Sequence, residues 1–197
     1  MIEATESDEE LMQRFGRGDA AAFEQLYRRH ELRVFRYLYR NVRNHAAAND
    51  LMQDVWFAVA RSATRYEPTA RFTTWLYTLA HNRMVDSFRT SHVHQSLDAV
   101  APAAADADAD GTALADRLEA DRSVEPPAAA QAQDEARAIV AAVGQLPAEQ
   151  REAFLLQAES DLSVEDIARV TGTSFETVKS RLRYARTKLR QLLWEYA

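Results

Sequence analysis

The chain has 197 residues, with 24 Lys and Arg against 30 Asp and Glu for a net charge of −6, and it contains no cysteine. That excludes disulfides, thiol redox switching and cysteine-ligated zinc, and five glycines and five prolines favour helices over a turn-rich β protein. No run nears the roughly 18 to 20 apolar residues of a membrane helix, and the acidic start MIEATESDEELMQRF is not an export signal, so no membrane insertion and a cytoplasmic location are expected.

In chain order, SDEE (Ser7 to Glu10) reads as a capping box that opens a first helix. Phe23, Leu26 and Tyr27, then Val34, Phe35 and Leu38, recur at helical spacing. Leu51, Val55, Ala58 and Val59 form the next stripe, with Met52 and Trp56 beside it. Pro68 in YEPTAR marks a break, after which Phe72, Trp75, Leu76, Leu79 and Ala80 predict another helix continuing through Met84, Val85 and Phe88. No stretch alternates with period two for long enough to argue a strand.

The segment from Gln95 to Glu135 is of low complexity and carries ten acids against Arg117 and Arg122. It has few large apolar side chains to offset the entropy of ordering, so it reads as a linker, with a short helix possible from Thr112 to Arg122. About 40 residues of flexible chain have an r.m.s. reach of roughly 35 Å and stretch to over 100 Å. The acidity of the whole chain belongs to this segment; the rest is slightly basic. Such a segment could also mimic nucleic acid and shield a basic helix, against the simpler role of solvated spacer.

Beyond Ala136, Ile139, Val140 and Val143 predict a short helix ended by Gly144, with Pro147 in the first turn of the next, anchored by Phe154 and Leu155. Ser163 with Asp166 predicts a helix from Val164, and Gly172 suits a sharp turn. Thr173 or Ser174 then caps a long helix whose buried stripe is Val178, Leu182, Ala185, Leu189 and Leu192 or Leu193. From Ser174 to Leu193 six bases face Glu176 alone. Two helices joined by a short turn, the second presenting cations, are what insertion into a major groove requires. The expected architecture is all-α: two small helical domains, 1–94 and 136–197, joined by an acidic linker over 95–135.

Four motifs in this order, DLMQDVWFAVAR, FTTWLYTLAHNRMVDSFR, LPAEQREAFLL and TVKSRLRYARTKL, resemble bacterial RNA polymerase sigma factors of the compact extracytoplasmic-function (ECF) class. The resemblance covers nearly everything except the linker. It implies a region 2-like domain that binds core polymerase through the clamp helices of its largest subunit, with Asp50, Leu51, Gln53, Asp54, Val55 and Trp56 at the contact. The melted −10 element would meet Tyr66, Arg71, Phe72, Trp75, Asn82, Arg83, Asp86 and Arg89. A region 4-like domain would read the duplex −35 element through Ser174, Phe175, Glu176, Thr177, Lys179, Ser180, Arg181, Arg183, Tyr184 and Arg186. Glu176 and Tyr184 depart from the usual pattern; a carboxylate at 176 either repels a phosphate or accepts from a cytosine amino group. The resemblance also implies an inhibitory anti-sigma partner.

The alternative is a repressor or activator that binds duplex operator without polymerase. An enzyme is not expected, since no Gly-rich phosphate loop, nucleophile elbow or spaced carboxylate pair appears. His92 and His94, with His81 nearby, lack an accompanying acid–His cluster, so neither a metal nor any other cofactor is expected.

Overall fold

The structure, a computed structural model, describes residues 6–97 and 126–194, with side chains over 6–90 and 134–194. In chain order the helices are α1 (Asp8–Gly16), α2 (Ala20–Val42), α3 (His45–Ser62), α4 (Phe72–Leu97), α5 (Pro126–Gly144), α6 (Ala148–Ser160), α7 (Val164–Thr171) and α8 (Phe175–Leu192). A 3₁₀ turn, Ala63–Arg65, leads into the irregular stretch before α4. There is no strand among the described residues.

The expected caps form. The Ser7 hydroxyl accepts from the Glu10 amide at 3.3 Å while the Glu10 carboxylate accepts from the Ser7 amide at 2.9 Å. Two caps the sequence reading did not single out also form: Asp19 caps α2 and Asn44 caps α3 through side-chain oxygens. Ser163 accepts from the Asp166 amide at 3.1 Å, so α7 begins at Val164. Gly172 closes α7 at φ 62°, a left-handed position costly for a side chain with Cβ. Ser174, not Thr173, caps α8 by accepting from the Thr177 amide at 3.1 Å.

Two elements outrun their expected bounds. Helix α4 extends to Leu97, and α5 starts at Pro126, inside the stretch read as linker. Proline suits a first helical turn and alanine has the best helix propensity, so the segment's low complexity conceals a good helix start. The remainder of that linker, with the possible helix from Thr112 to Arg122, lies outside the described residues.

The two expected helical regions are present, and they pack on one another. Within the first, α1 packs on α2, α2 on α3 and α3 on α4; within the second, α6 and α7 both pack on α8. Across the seam, α2 packs on α6 and α4 on α7. Tyr37 and Tyr77, from α2 and α4, are fully buried with their rings edge-on at 5.3 Å. Each buried aromatic removes roughly 150–250 Å² from water. The apolar residues of both regions therefore belong to one contiguous core.

Candidate nucleic-acid interface

The predicted stripe of α8 is buried: Val178, Leu182, Ala185 and Leu189 face α6 and α7. The opposite face is open. Ser174, Phe175, Glu176, Thr177, Lys179, Ser180, Arg183, Tyr184 and Arg186 are all exposed. Glu176, Lys179, Ser180, Arg183, Arg186 and Arg190 line one shallow concavity of about 560 Å³. Lys179 lies over the Phe175 ring at 5.6 Å and Arg183 over Tyr184 at 4.9 Å, so two cations rest against aromatic faces. Among the described residues Glu176 pairs with Lys179, at 3.9 Å. Arg186 donates to Gln157 on α6 at 2.6 Å.

Arg181 stands apart from this face. Its side chain is 18% exposed and its guanidinium pairs with Glu149 of α6 at 2.7 Å. It braces α8 against α6 instead of projecting with the other cations, because position 181 falls beside the buried stripe.

On α4, Asn82, Asp86 and Arg89 recur at four and three residues and share an exposed face, with Arg83 half-buried beside them. Arg89 and Asp86 approach at 3.9 Å, and Arg71 in the preceding loop is exposed. The aromatic residues behave differently. Phe72 is 0% exposed, and its amide donates to Glu9 on α1 at 2.6 Å. Trp75 is half-buried against Tyr66 at 5.1 Å and Phe72 at 5.7 Å. Burial, reinforced by Glu9 and Asp8, pushes the Tyr66 phenol up to about 12, and its hydroxyl has no hydrogen-bond partner among the described residues. Phe72 is thus core and not a free stacking platform: helical spacing turns position 72 inward, onto His30 and Tyr66. Phe88, which sequence reasoning placed in the helical stripe, is exposed instead.

The segment on α3 splits the same way. Asp50, Gln53 and Asp54 are exposed, whereas Leu51, Val55 and Trp56 are buried. Trp56 packs on Tyr27 at 4.9 Å and Phe23 at 5.8 Å, which closes the α2–α3 seam. These three shape the helix from beneath and offer little surface to a partner. The side chain sequence reasoning missed is Phe57, 63% exposed on the outward face with Gln53 and Asp54. Beside it, Tyr27, Leu32, Phe35, Met52 and Gln53 line a groove of about 540 Å³ between α2 and α3.

His81 is occupied otherwise than as a metal ligand: its Nδ1 meets Glu152 Oε1 at 2.6 Å. No cluster of three or more His, Cys, Asp or Glu suited to a metal occurs among the described residues. The side chains of His92 and His94 lie outside them. No helix among the described residues is long and apolar enough to cross a membrane.

Residues 26–92 match the Sigma-70 region 2 family and residues 136–189 match Sigma-70, region 4. The chain is 37% identical over 188 residues to the RNA polymerase sigma factor CarQ of Myxococcus xanthus, covering 93% of this chain and 96% of that one. The chain belongs to the ECF sigma factors of bacterial RNA polymerase. The ECF RNA polymerase sigma factor SigM of Mycobacterium tuberculosis is 32% identical over 189 residues, covering 95% of this chain and 85% of its own. Among solved structures, CnrH in complex with the cytosolic domain of CnrY shares the fold, with a TM-score of 0.64 at 23% identity, covering 98% of this chain and 100% of that one. The sigma factor RpoE in complex with the anti-sigma factor NepR from Bartonella quintana has a TM-score of 0.59 at 25% identity, covering 81% of this chain and 89% of that one. As an ECF sigma factor the chain serves transcription initiation, through core polymerase and promoter DNA.

Proposed function

We propose a division of this sigma factor's surface into three working faces. The outward side of α3, Asp50, Gln53, Asp54 and Phe57, docks on the polymerase clamp helices together with the α2–α3 groove. An amphipathic helix pair meeting a second pair needs an apolar anchor rimmed by polar groups, and Phe57 supplies it. Leu51, Val55 and Trp56 act from beneath by holding that face in shape.

The second face is the exposed edge of α4 with its preceding loop. Asn82 reads a base edge, since its amide both donates and accepts. Arg71, Arg83 and Arg89 neutralise phosphates of the melted −10 strand, while Tyr66 and Trp75 wall the loop from behind. Extruding a base costs a few kcal/mol, offset by stacking and edge contacts. The third face is α8, which enters the major groove of the −35 element with Lys179, Ser180, Arg183, Tyr184 and Arg186 outermost.

The single observation that carries this reading is the segregation on α8: its apolar stripe is buried while Lys179, Arg183, Arg186 and Arg190 line one open concavity. The protein works in the cytoplasm as an initiation factor, without chemistry of its own. An anti-sigma partner holds it inactive, a reading supported by the likeness to RpoE, whose structure is a complex with the anti-sigma factor NepR. Permanganate footprinting of a promoter bound by reconstituted holoenzyme tests the assignment. Reactive thymines should appear at the −10 element with native protein and weaken strongly with Asn82→Ala. Undiminished reactivity in that variant refutes the role given to Asn82.

A further inference from the structure

The stretch from Tyr66 to Arg71, between the 3₁₀ turn and α4, has little of its own to fix its shape. Glu67, Pro68, Thr69 and Arg71 are exposed, and the Thr69 amide donates to the Glu67 carbonyl at 2.8 Å. A segment with few buried contacts and an exposed backbone opens easily unless its ends are held. Both ends of this loop rest on one helix, α1.

At the exit, the Phe72 amide donates to the Glu9 carboxylate at 2.6 Å. Phe72 opens α4, and the first amides of a helix have no partner within it. A carboxylate from another helix satisfies one of them and complements the positive end of the dipole. The backbone beneath Glu9 is itself fixed, since Asp8 accepts from Arg29 at 2.7 Å and meets His30 at 2.7 Å, both on α2. At the entry, Gly16 lies against the 3₁₀ turn. A Cβ at position 16 would stand 2.4 Å from the Ala63 carbonyl oxygen, so only glycine permits this approach. The same carbonyl accepts from the amide of Tyr66, the first residue of the loop, at 3.3 Å. Glu9, the fully buried Met12 and Gly16 recur at three and four residues and share one face of α1. Seven residues of helix set the two anchors about 10.5 Å apart along the axis, a spacing the loop cannot alter. Between them the Tyr66 and Phe72 rings meet edge-on at 6.3 Å.

We propose that α1 is a brace that sets the shape of the −10-reading loop, with Glu9 and Gly16 as its positioning residues. Neither is assigned to a DNA contact; Glu9 acts through Phe72 and Gly16 through Ala63. The role in reading rests on assigning this loop to the melted −10 strand, whereas the brace itself does not. Without the bond at the exit, the loop must be ordered at the moment of contact, so a matched −10 element gains less from it. A promoter mismatched there makes no such contact and needs no such ordering. The brace therefore acts on discrimination between promoters and not on all promoters alike.

The chain lacks cysteine, so a spin label on Thr69→Cys reports the loop alone. In free protein, Glu9→Ala and Gly16→Ala should each sharpen the electron paramagnetic resonance lines of that label. Glu9→Gln, which keeps an acceptor oxygen, should leave the native line shape. Alanine at position 16 improves the helix propensity of α1, so its effect reads the clash with Ala63 and not a weakened helix. Unlabelled variants, purified as holoenzyme, are then compared by run-off transcription on one promoter and on the same promoter with its −10 element substituted. The ratio of the two rates should fall about fivefold in Glu9→Ala, the effect of losing a typical helix cap, and stay near native in Glu9→Gln. A merely destabilising substitution lowers both rates and leaves their ratio unchanged. An unchanged label in Glu9→Ala overturns the brace. A loosened label with an unchanged ratio keeps the brace but overturns its part in reading, and with it the assignment of the loop to the −10 strand. An equal fall in Glu9→Gln overturns the bond to the Phe72 amide as the cause.

Discussion

Phe57→Ala should weaken binding to core polymerase without weakening the fold. The ring is 63% exposed, which for a side chain of about 200 Å² leaves roughly 130 Å² facing water. Burying that area in a partner at about 25 cal/mol per Å² is worth up to about 3 kcal/mol. Alanine keeps the Cβ, so the expected loss is about 2 kcal/mol, or roughly thirtyfold in Kd. Thermal stability should change by no more than about 0.5 kcal/mol, as is usual for an exposed position. The neighbouring Trp56→Ala is the internal contrast. Its ring lies against Tyr27 and Phe23, and its removal should cost about 3–5 kcal/mol of folding stability. Fluorescence anisotropy of labelled protein titrated with core polymerase, with circular dichroism melting of the same samples, separates the two effects. Unchanged affinity for Phe57→Ala, with an unchanged melt, would refute the placement of the docking face on the outward side of α3.

Binding of the isolated −35 duplex should fall with log[salt] at a slope of about −3.6 if Lys179, Arg183, Arg186 and Arg190 each neutralise one phosphate. Arg183→Ala should reduce that slope by about 1, whereas Arg181→Ala, whose guanidinium is held by Glu149, should leave it nearly unchanged; equal effects would contradict the bracing role. Phe72→Ala should lower stability by about 3–5 kcal/mol in urea denaturation, since the ring is fully buried; a stable variant defective only in promoter melting would place the ring at the DNA after all. Burial alone would raise the Asp8 carboxyl, but the hydrogen bonds and charges of His30 and Arg29 hold it below its usual 3.8. A depressed folded pKa contributes stability that is present above 3.8 and lost as pH falls through the folded value. Asp8→Asn should therefore be less stable than native protein near pH 6, with the gap closing in acid as the pH falls through the lowered folded pKa; a gap that persists once the carboxyl is protonated would assign the loss to packing instead.

The helices were legible because their apolar residues recur at three and four positions, and the caps at Ser7 and Ser163 fixed their starts. Helix α8 was legible for the same reason, its stripe at Val178, Leu182, Ala185 and Leu189 leaving Lys179, Arg183 and Arg186 outside. Adjacent large residues were not. Trp56 and Phe57 differ by 100° on the helix, and only the rings of Phe23 and Tyr27 across the seam determine which turns inward. Phe72 presented the same ambiguity, since an aromatic beside arginines suits both a core and a stacking platform. Arg181 carried the same charge as its neighbours, and only Glu149 from another helix reveals its different task. The contact between halves was not readable at all. Glu152 and Tyr37 are 115 positions apart in sequence, and nothing local distinguishes a carboxylate paired across a seam from one in water. A low-complexity linker argues for freedom between two halves, while the buried faces of Tyr37 and Tyr77 keep them together.

Run-off transcription with core polymerase and this protein, followed by mapping of transcript starts, tests the central claim most directly. The account predicts specific starts a short distance downstream of paired −35 and −10 elements, dependent on polymerase and abolished by damage to either element. Tight binding to one duplex operator without polymerase, with no specific transcript when polymerase is supplied, would contradict it.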